Sequence, residues 1–214
     1  MNRYARVVAT GLCLALMVPP LSGQMLIGAK GGANLATVGI SADGSGVSTA
    51  TRQAFHGAVM LGFGLKPNIA IEVPMTYVGK GFTSDSSGTN GVLSDLSIDY
   101  FEFPVLLVGT FPAEPSMFAA RVFAGPAFGL RSRCSLVAAN QDPTGWTDCD
   151  ADISSAVDFS IMAGAGVKIG KGRSGFTVEL SYDYGLSNIV KENTSTSAKN
   201  RNLMLSVGYI VSII

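Results

Sequence analysis

Hydrophobic residues alternate with polar or small residues, at a period of two, along much of this chain. In residues 176–187 every even-numbered residue is apolar or aromatic, and every odd-numbered residue is polar or glycine. Residues 157–169 and 203–213 alternate in the same way. Successive side chains of a β-strand point to opposite sides, whereas a helix requires spacings of three and four. The pattern therefore predicts strands with one apolar face and one polar or small face.

Five further segments follow the alternation less strictly, and they bring the predicted total to eight strands. They are residues 25–36, 55–65, 69–81, 98–111 and 118–131. Each strand is close to or longer than the ~9–11 residues that a tilted strand needs to cross a bilayer.

The connections between these segments alternate in length. Long segments rich in Ser, Thr, Asn, Asp and Gly lie at 37–54, 82–97, 132–152 and 190–199, and short turns at 66–68, 112–116 and 170–175. Long loops at one end and short turns at the other are typical of outer-membrane barrels. We therefore predict an all-β fold, an eight-stranded antiparallel up-and-down transmembrane β-barrel.

A soluble barrel such as a lipocalin would place its apolar face inward and its polar face in water. Here four cations and five anions lie on the same face of the predicted strands as the small and polar residues. These are too many charges for the lining of an apolar pocket. They are Lys30, Glu72, Lys80, Glu102, Arg121, Asp158, Lys168, Glu179 and Asp183. Paired buried charges are tolerated far better than isolated ones, and a Lys or Arg facing mid-bilayer costs ~2–4 kcal/mol. We therefore predict an ion-paired lumen and a lipid-facing apolar surface.

Aromatic residues support the same orientation, because they cluster toward both ends of the predicted strands. The set toward the short turns is Phe63, Phe111, Phe118, Phe176 and Tyr209. The set toward the long loops is Phe55, Tyr77, Phe101, Phe128, Phe159 and Tyr184. Aromatic girdles at the two interfaces are expected of membrane barrels.

Composition agrees with a membrane protein and excludes a nucleic-acid surface. Charged residues make up 14% of the 214 residues, against roughly 25% in an average soluble domain, and hydrophobic residues make up 47%. The 15 basic and 15 acidic residues form no blocks of like charge, so we predict no nucleic-acid partner.

Residues 1–23 have the organisation of a secretory signal peptide. Arg3 and Arg6 precede an uncharged apolar run at 7–18, and two prolines and small residues follow as far as Gly23. The run is too short for a spanning helix, which needs ~20 residues. We expect cleavage after Gly23. Residues 24–214 would then form one barrel domain in the outer membrane of a Gram-negative-type bacterium.

A series of short motifs extends along the exported chain. They are GAKGGANL from Gly28, EVPMTYVGKG from Glu72, YFEFPVLL from Tyr100, AGP from Ala124, DFSIMAGAG from Asp158, YDYGLSNI from Tyr182 and VGY from Val207. In this order they resemble the PorT-like outer-membrane β-barrel family of Bacteroidetes and their relatives. The resemblance implies a small eight-stranded barrel, and it suggests a component of an envelope secretion or assembly system. The last strand resembles the signal bound by the barrel assembly machinery, although it finishes on Ile214 instead of an aromatic residue.

Two features could support chemistry or cross-linking. His56 is the only histidine, and no serine lies at a spacing that certifies a Ser/His pair. We therefore expect a lumen or rim histidine and predict no enzyme, catalytic site, cofactor or metal site. Cys134 and Cys149 are the cysteines left after export, in or beside the third long loop. In an oxidising compartment we predict that they form a disulfide.

Matching Glu-x-Pro motifs occur at Glu72 and Glu102 on adjacent predicted strands. Proline lacks the N–H that a ladder needs, so Pro74 and Pro104 should mark bulges or breaks. The two carboxylates could form a paired-carboxylate site, but we favour pairing with lumen cations. The glycines of the segment Gly164-Ala-Gly166 should make room for bulky lumen neighbours or ease strand curvature.

Eight strands leave an interior only wide enough for side chains, which disfavours a general porin. The leading hypothesis is a structural or loop-mediated interaction role, because binding usually resides on loops of a rigid scaffold. The alternatives are an envelope secretion or assembly component, a narrow pore, and a lipid-modifying enzyme. We expect a monomer whose partners are outer-membrane lipid and the barrel assembly machinery during insertion. An envelope protein is a further candidate partner.

Overall fold

The computed structural model describes residues 24–42, 45–47, 49–83, 93–112, 116–138, 147–149, 155–189 and 196–213. The predicted signal peptide lies outside these residues, as do parts of all four long loops. The described residues form eleven strands: β1 (Met25–Ala42), β2 (Ser45–Val47), β3 (Arg52–Lys66), β4 (Ile69–Thr83), β5 (Leu93–Pro104), β6 (Leu106–Phe111), β7 (Phe118–Ala138), β8 (Thr147–Asp148), β9 (Val157–Ile169), β10 (Gly175–Gly185) and β11 (Thr196–Ser212).

The strands form one antiparallel sheet that closes on itself. Each long strand pairs with the one before it in sequence, and β1 also pairs with β11, from Leu26↔Ser212 to Ala42↔Thr196. β5 and β6 together fill one place between β4 and β7. β2 and β8 are short additions at the long-loop end. The predicted all-β up-and-down fold is confirmed, with eight positions around the barrel despite the larger strand count.

Several strands extend further toward the long loops than their alternation predicts. β1 continues to Ala42 instead of residue 36, β7 to Ala138 instead of residue 131, and β11 begins at Thr196 instead of residue 203. Beyond the bilayer both faces of a strand can meet water, so the apolar–polar alternation fades while the hydrogen-bond ladder continues.

The barrel presents its apolar face outward. Exposed and buried residues alternate without a break along β10. Leu180 is 52% exposed and Val207 56%, whereas Glu179 is 3% exposed and Asp183 is fully buried. In water such a surface would be unstable, but a bilayer solvates it without cost. The hydrophobic face is therefore the lipid-facing face, as predicted.

Aromatic side chains flank this apolar surface. At the long-loop end, Tyr77 packs on Phe101 with ring centroids 5.2 Å apart, and Phe128 and Phe159 are 5.1 Å apart. At the short-turn end, Phe176 and Tyr209 are 4.7 Å apart. Neighbouring strands therefore contribute ring pairs at both ends of the barrel.

The ladder is interrupted where two prolines face each other. β4 pairs with β5 as far as Thr76 and with β6 from Glu72 in the same register, which places Pro74 opposite Pro104. Pro74 keeps its pairing with Met60 of β3, and Pro104 its pairing with β7. The N–H that each proline lacks is therefore the one that would point at the other proline. The predicted break is present, and it occurs without a bulge.

Candidate functional site

The lower half of the lumen, toward the short turns, holds four charged side chains that we call the Arg121 network. Arg121 Nη2 donates to both carboxylate oxygens of Glu72, each at 2.9 Å. Its Nε donates to Glu179 Oε1 at 3.0 Å, and Lys30 Nζ donates to Glu179 Oε2 at 3.0 Å. Two cations thus balance two carboxylates, and this layer is electrically neutral.

A glycine allows the central contact of this network. Gly166 of β9 lies in register with Arg121 on one side and Glu179 on the other. A Cβ at this position would overlap the carbonyl oxygen of Val178 and lie 2.9 Å from Glu179 Cγ. The missing side chain therefore allows the β10 backbone to approach β9 closely and leaves room for the Glu179 side chain.

The upper half of the lumen holds the Lys80 network. Lys80 Nζ lies 2.5 Å from Asp183 Oδ2 and 3.3 Å from Asp158 Oδ2, and it also contacts Glu102 Oε1. All four side chains are 0–1% exposed. One ammonium therefore serves three carboxylates, whose formal charge exceeds its own by two.

Neutral side chains complete the upper layer. Asn200 Nδ2 donates to Asp158 Oδ2 at 2.8 Å, and Ser187 Oγ donates to Asp158 Oδ1 at 2.6 Å. Glu102 Oε2 and Asp183 Oδ1 are buried without a hydrogen-bond partner among the described residues. Within the same part of the chain, no group of three or more His, Cys, Asp or Glu side chains could hold a metal ion.

Of the nine charged residues predicted to form the ion network, the structure brings eight into these two networks. Lys168 stands apart, and our prediction that it joins the network needs correction. It is buried, but its Nζ donates to the carbonyl of Gly172 in the β9–β10 turn. It lies near the end of β9, one position before Ile169, so its ammonium reaches that turn.

Between the charged layers lie two polar contacts that the sequence did not indicate. His56 Nε2 and Ser206 Oγ are 2.8 Å apart, with Gly32 between them in the ladder. Asn34 Nδ2 donates to Asn202 Oδ1 at 3.0 Å. Both contacts join strands on either side of the β1–β11 closure. Their side chains share the phase of the polar face, but only the closed barrel brings them together.

The His56–Ser206 pair has no third group that orients the histidine among the described residues. Both residues are buried in the lumen, and His56 Nδ1 has no hydrogen-bond partner among the described residues. A catalytic histidine normally has a third group that orients it. This arrangement can hold one side chain against another across the closure.

At the long-loop end, Cys134 and Cys149 form a disulfide with their Cα atoms 5.4 Å apart. Cys149 N also donates to the carbonyl of Cys134 at 3.2 Å. The bond joins β7 to the residue after β8, so it secures the base of the third long loop. Trp146 lies outside the described residues.

Apolar side chains fill much of the remaining lumen. One cluster includes Ile98, Tyr100, Val108, Phe123 and Met204, all buried. Together with the two ion networks, these side chains fill a continuous section of the interior. The arrangement can stiffen the barrel and obstruct passage through it.

Solved structures of other outer-membrane proteins share this fold. Neisserial surface protein A (NspA) matches with a TM-score of 0.52 and 15% identity, over 88% of this chain and 97% of that chain. The outer membrane protein OprG from Pseudomonas aeruginosa matches with a TM-score of 0.52 and 12% identity, over 89% and 96%. At such low identity the likeness shows the fold alone.

None of the curated proteins matches the sequence significantly. A family of outer-membrane proteins, however, matches most of the chain. The match covers residues 20–191 and is to the outer membrane protein beta-barrel domain. Since the fold and the lipid-facing surface agree with that match, the protein resides in the outer membrane, and the chain belongs to the family of the outer membrane protein β-barrel domain.

Proposed function

We propose that this protein is a plugged outer-membrane barrel that acts through its external loops, as a structural or interaction protein and not as an enzyme. The observation that carries the proposal is the filled lumen. The Arg121 and Lys80 networks lie one above the other inside the barrel. Within each network the charged side chains contact one another directly as ion pairs. A continuous aqueous path would have to break these pairs, at a cost of several kcal/mol for each unpaired buried charge.

Features of the long-loop end support an interaction role there. β7 extends to Ala138, beyond the rim aromatic residues, and the Cys134–Cys149 disulfide secures its extension. Phe55, at the same end, is 81% exposed. Loops that emerge from a rigid, cross-linked base lose less conformational entropy when they bind a partner.

The motif resemblance carries a second proposal. We infer that the chain is PorT-like and that it serves as a component of an envelope secretion or assembly system. In that case the periplasmic short turns, rather than the external loops, would be the surface that contacts a protein partner. The barrel assembly machinery and outer-membrane lipid are the remaining partners that we propose.

Photo-crosslinking from the two ends of the barrel distinguishes these roles. We would place a photoreactive amino acid at Thr147, exposed beside the third long loop, and at Lys171, exposed in a short turn. Irradiation of intact cells should give specific adducts from Thr147 if the loops bind a partner. Adducts only from Lys171 would refute the loop-mediated role and favour the assembly role.

Conductance tests the plugged lumen directly. Purified protein in planar bilayers should give no stable single-channel steps. Steady steps that are unaffected by reducing the disulfide would show an open path and would favour the narrow pore. If lipid hydrolysis or acyl transfer were detected with the wild type and lost in His56→Ala, the protein would instead be an enzyme.

A further inference from the structure

A cavity of about 580 Å³ opens at the short-turn end of the barrel, below the Arg121 network. We call it the vestibule. Its rim includes Lys66 and Asn68 of the β3–β4 turn and Arg173 of the β9–β10 turn, and its inner end includes Arg121 and Glu72. In an outer-membrane barrel the short turns face the periplasm. The volume is within the range of small-molecule sites, ~300–1,000 Å³.

The walls of the vestibule are strongly cationic. Among the described residues, Lys66, Arg121, Lys168 and Arg173 line it, against the single carboxylate of Glu72. Both oxygens of that carboxylate already accept hydrogen bonds from Arg121. The other three cations form no ion pair with any carboxylate among the described residues. Within the described part of the chain, the vestibule therefore carries three positive charges that lack a counter-charge.

Lys168 makes this excess costly. The residue is only 3% exposed, and its ammonium donates to one backbone carbonyl, that of Gly172. An ammonium group has three donors, so two remain for another acceptor. Burying a cation without a counter-ion costs free energy. An anion in the cavity would supply both the counter-charge and the missing acceptors.

Arg173 spans the mouth of the vestibule. Its Nη2 donates to the carbonyl of Lys66 in the turn on the opposite side of the barrel. Its Nη1 is buried and has no hydrogen-bond partner among the described residues. The guanidinium lies directly against the backbone of Gly64, where a Cβ would overlap it. An unused buried donor is thus held in place at the edge of the cavity.

We propose that the vestibule binds a small oxyanion from the periplasm, with Lys168 and Arg173 as its charged ligands. The ligand would carry a phosphate or carboxylate group, the acceptors that guanidinium and ammonium groups recognise. Leu26, Leu65 and Ile69 give the cavity an apolar wall beside the cations. A carboxylate with a short hydrocarbon chain would match both parts of this lining, whereas free phosphate would use the cations alone.

Titration calorimetry on the refolded exported chain, in a nonionic detergent and a phosphate-free buffer, tests the proposal. The probes are inorganic phosphate, hexanoate and hexanol. We expect saturable binding of at least one oxyanion, with hexanoate tighter than phosphate if the apolar wall contributes. Hexanol controls for partition into the apolar wall and should bind at least about tenfold more weakly than the better oxyanion.

The variants assign the binding to this site. Lys168→Gln and Arg173→Gln should each weaken oxyanion binding about tenfold, as expected for loss of a charge-assisted hydrogen bond. Gly64→Ala should weaken it without changing the charge, because the methyl group displaces the Arg173 guanidinium. Lys171→Gln is the matched control: it removes an exposed lysine of the same turn that does not line the cavity.

Four results would overturn the proposal. The first is that neither oxyanion binds. The second is oxyanion binding that persists unchanged in both Lys168→Gln and Arg173→Gln. The third is hexanol binding as strong as that of the better oxyanion. The fourth is oxyanion binding only in Glu114→Gln, because the occupant would then be a carboxylate of the chain itself. Glu114 lies between Pro112 and Ser116, outside the described residues. None of these results bears on the proposed role of the external loops.

Discussion

Replacing Lys80 with methionine should unfold the barrel far more readily than any exposed substitution. Lys80 Nζ contacts Glu102, Asp158 and Asp183, and all four side chains are almost completely buried. The substitution keeps much of the side-chain volume but leaves three carboxylates without a cation. Removing one partner of a buried ion pair typically costs about 3–5 kcal/mol.

Proton uptake sets a ceiling on this loss. Protonating a carboxylate of ordinary acidity at pH 7 costs roughly 4 kcal/mol. If burying the unpaired charge costs more than this, the carboxylate takes up a proton instead, so the loss of stability does not rise much further. We therefore expect Lys80→Met to lower the free energy of unfolding by about 3–5 kcal/mol at pH 7.5. The folded variant would bind more protons than its unfolded chain, so its stability should recover as the pH falls.

Urea titration of the barrel in lipid vesicles measures this effect, with circular dichroism and heat-modifiable gel mobility as the two probes. The matched control is Lys168→Met, which removes another buried lysine that forms no ion pair among the described residues. It should be neutral or stabilising in the absence of added anions. Adding Glu102→Gln and Asp183→Asn to Lys80→Met should restore part of the loss.

The electrostatic reasoning would be refuted by either of two results. One is a loss below about 1 kcal/mol for Lys80→Met at pH 7.5, the size of an ordinary substitution. The other is a loss that is the same at pH 5 as at pH 7.5, because unpaired carboxylates must become less costly as they take up protons. A large, pH-independent loss shared by Lys168→Met would indicate packing rather than charge.

Three smaller perturbations test other parts of the barrel. The double substitution Pro74→Ala with Pro104→Ala restores two facing N–H donors. It should stabilise the barrel by about 1 kcal/mol, after the added conformational entropy of the unfolded chain is deducted. An unchanged or lower urea midpoint would contradict this. Gly166→Ala should destabilise by about 1–3 kcal/mol, because its methyl group would overlap the carbonyl oxygen of Val178 and press on Glu179. Unaltered stability would show that β9 and β10 can separate enough to accept the methyl group. Cys134→Ser should lower stability by up to about 3 kcal/mol under oxidising conditions, and the difference from wild type should vanish in reductant.

The period-two pattern predicted which side chains face the lumen, because a strand cannot present adjacent residues on the same side. Glu102 and Asp158 were therefore placed correctly on the inner face without any knowledge of their partners. The pattern carries no information about height along the barrel axis, which depends on the stagger between strands. Lys168 and Arg121 lie on adjacent strands in the same phase, yet only Arg121 is level with two carboxylates.

Contacts across the closure were also beyond prediction from local pattern. His56 meets Ser206 because β1 pairs with both β3 and β11 and contributes Gly32 between them. The two residues are 150 positions apart, so no spacing rule connects them. The disulfide was predictable because cysteine pairing depends on an oxidising compartment and on the number of cysteines available. The sequence has an export signal pattern and leaves two cysteines after it.

The distribution of charge along the axis supports a barrier rather than a conduit. From the periplasmic mouth inward, an ion meets three cations that have no counter-charge among the described residues. It then meets the neutral Arg121 network, and after that the Lys80 network, whose formal charge is negative. A cation is repelled at the vestibule, and an anion that enters is repelled from the far side of Arg121. Interactions between buried charges are screened less than interactions between charges in bulk water. If side-chain motion opened a path transiently, we expect that neither cations nor anions would cross it easily.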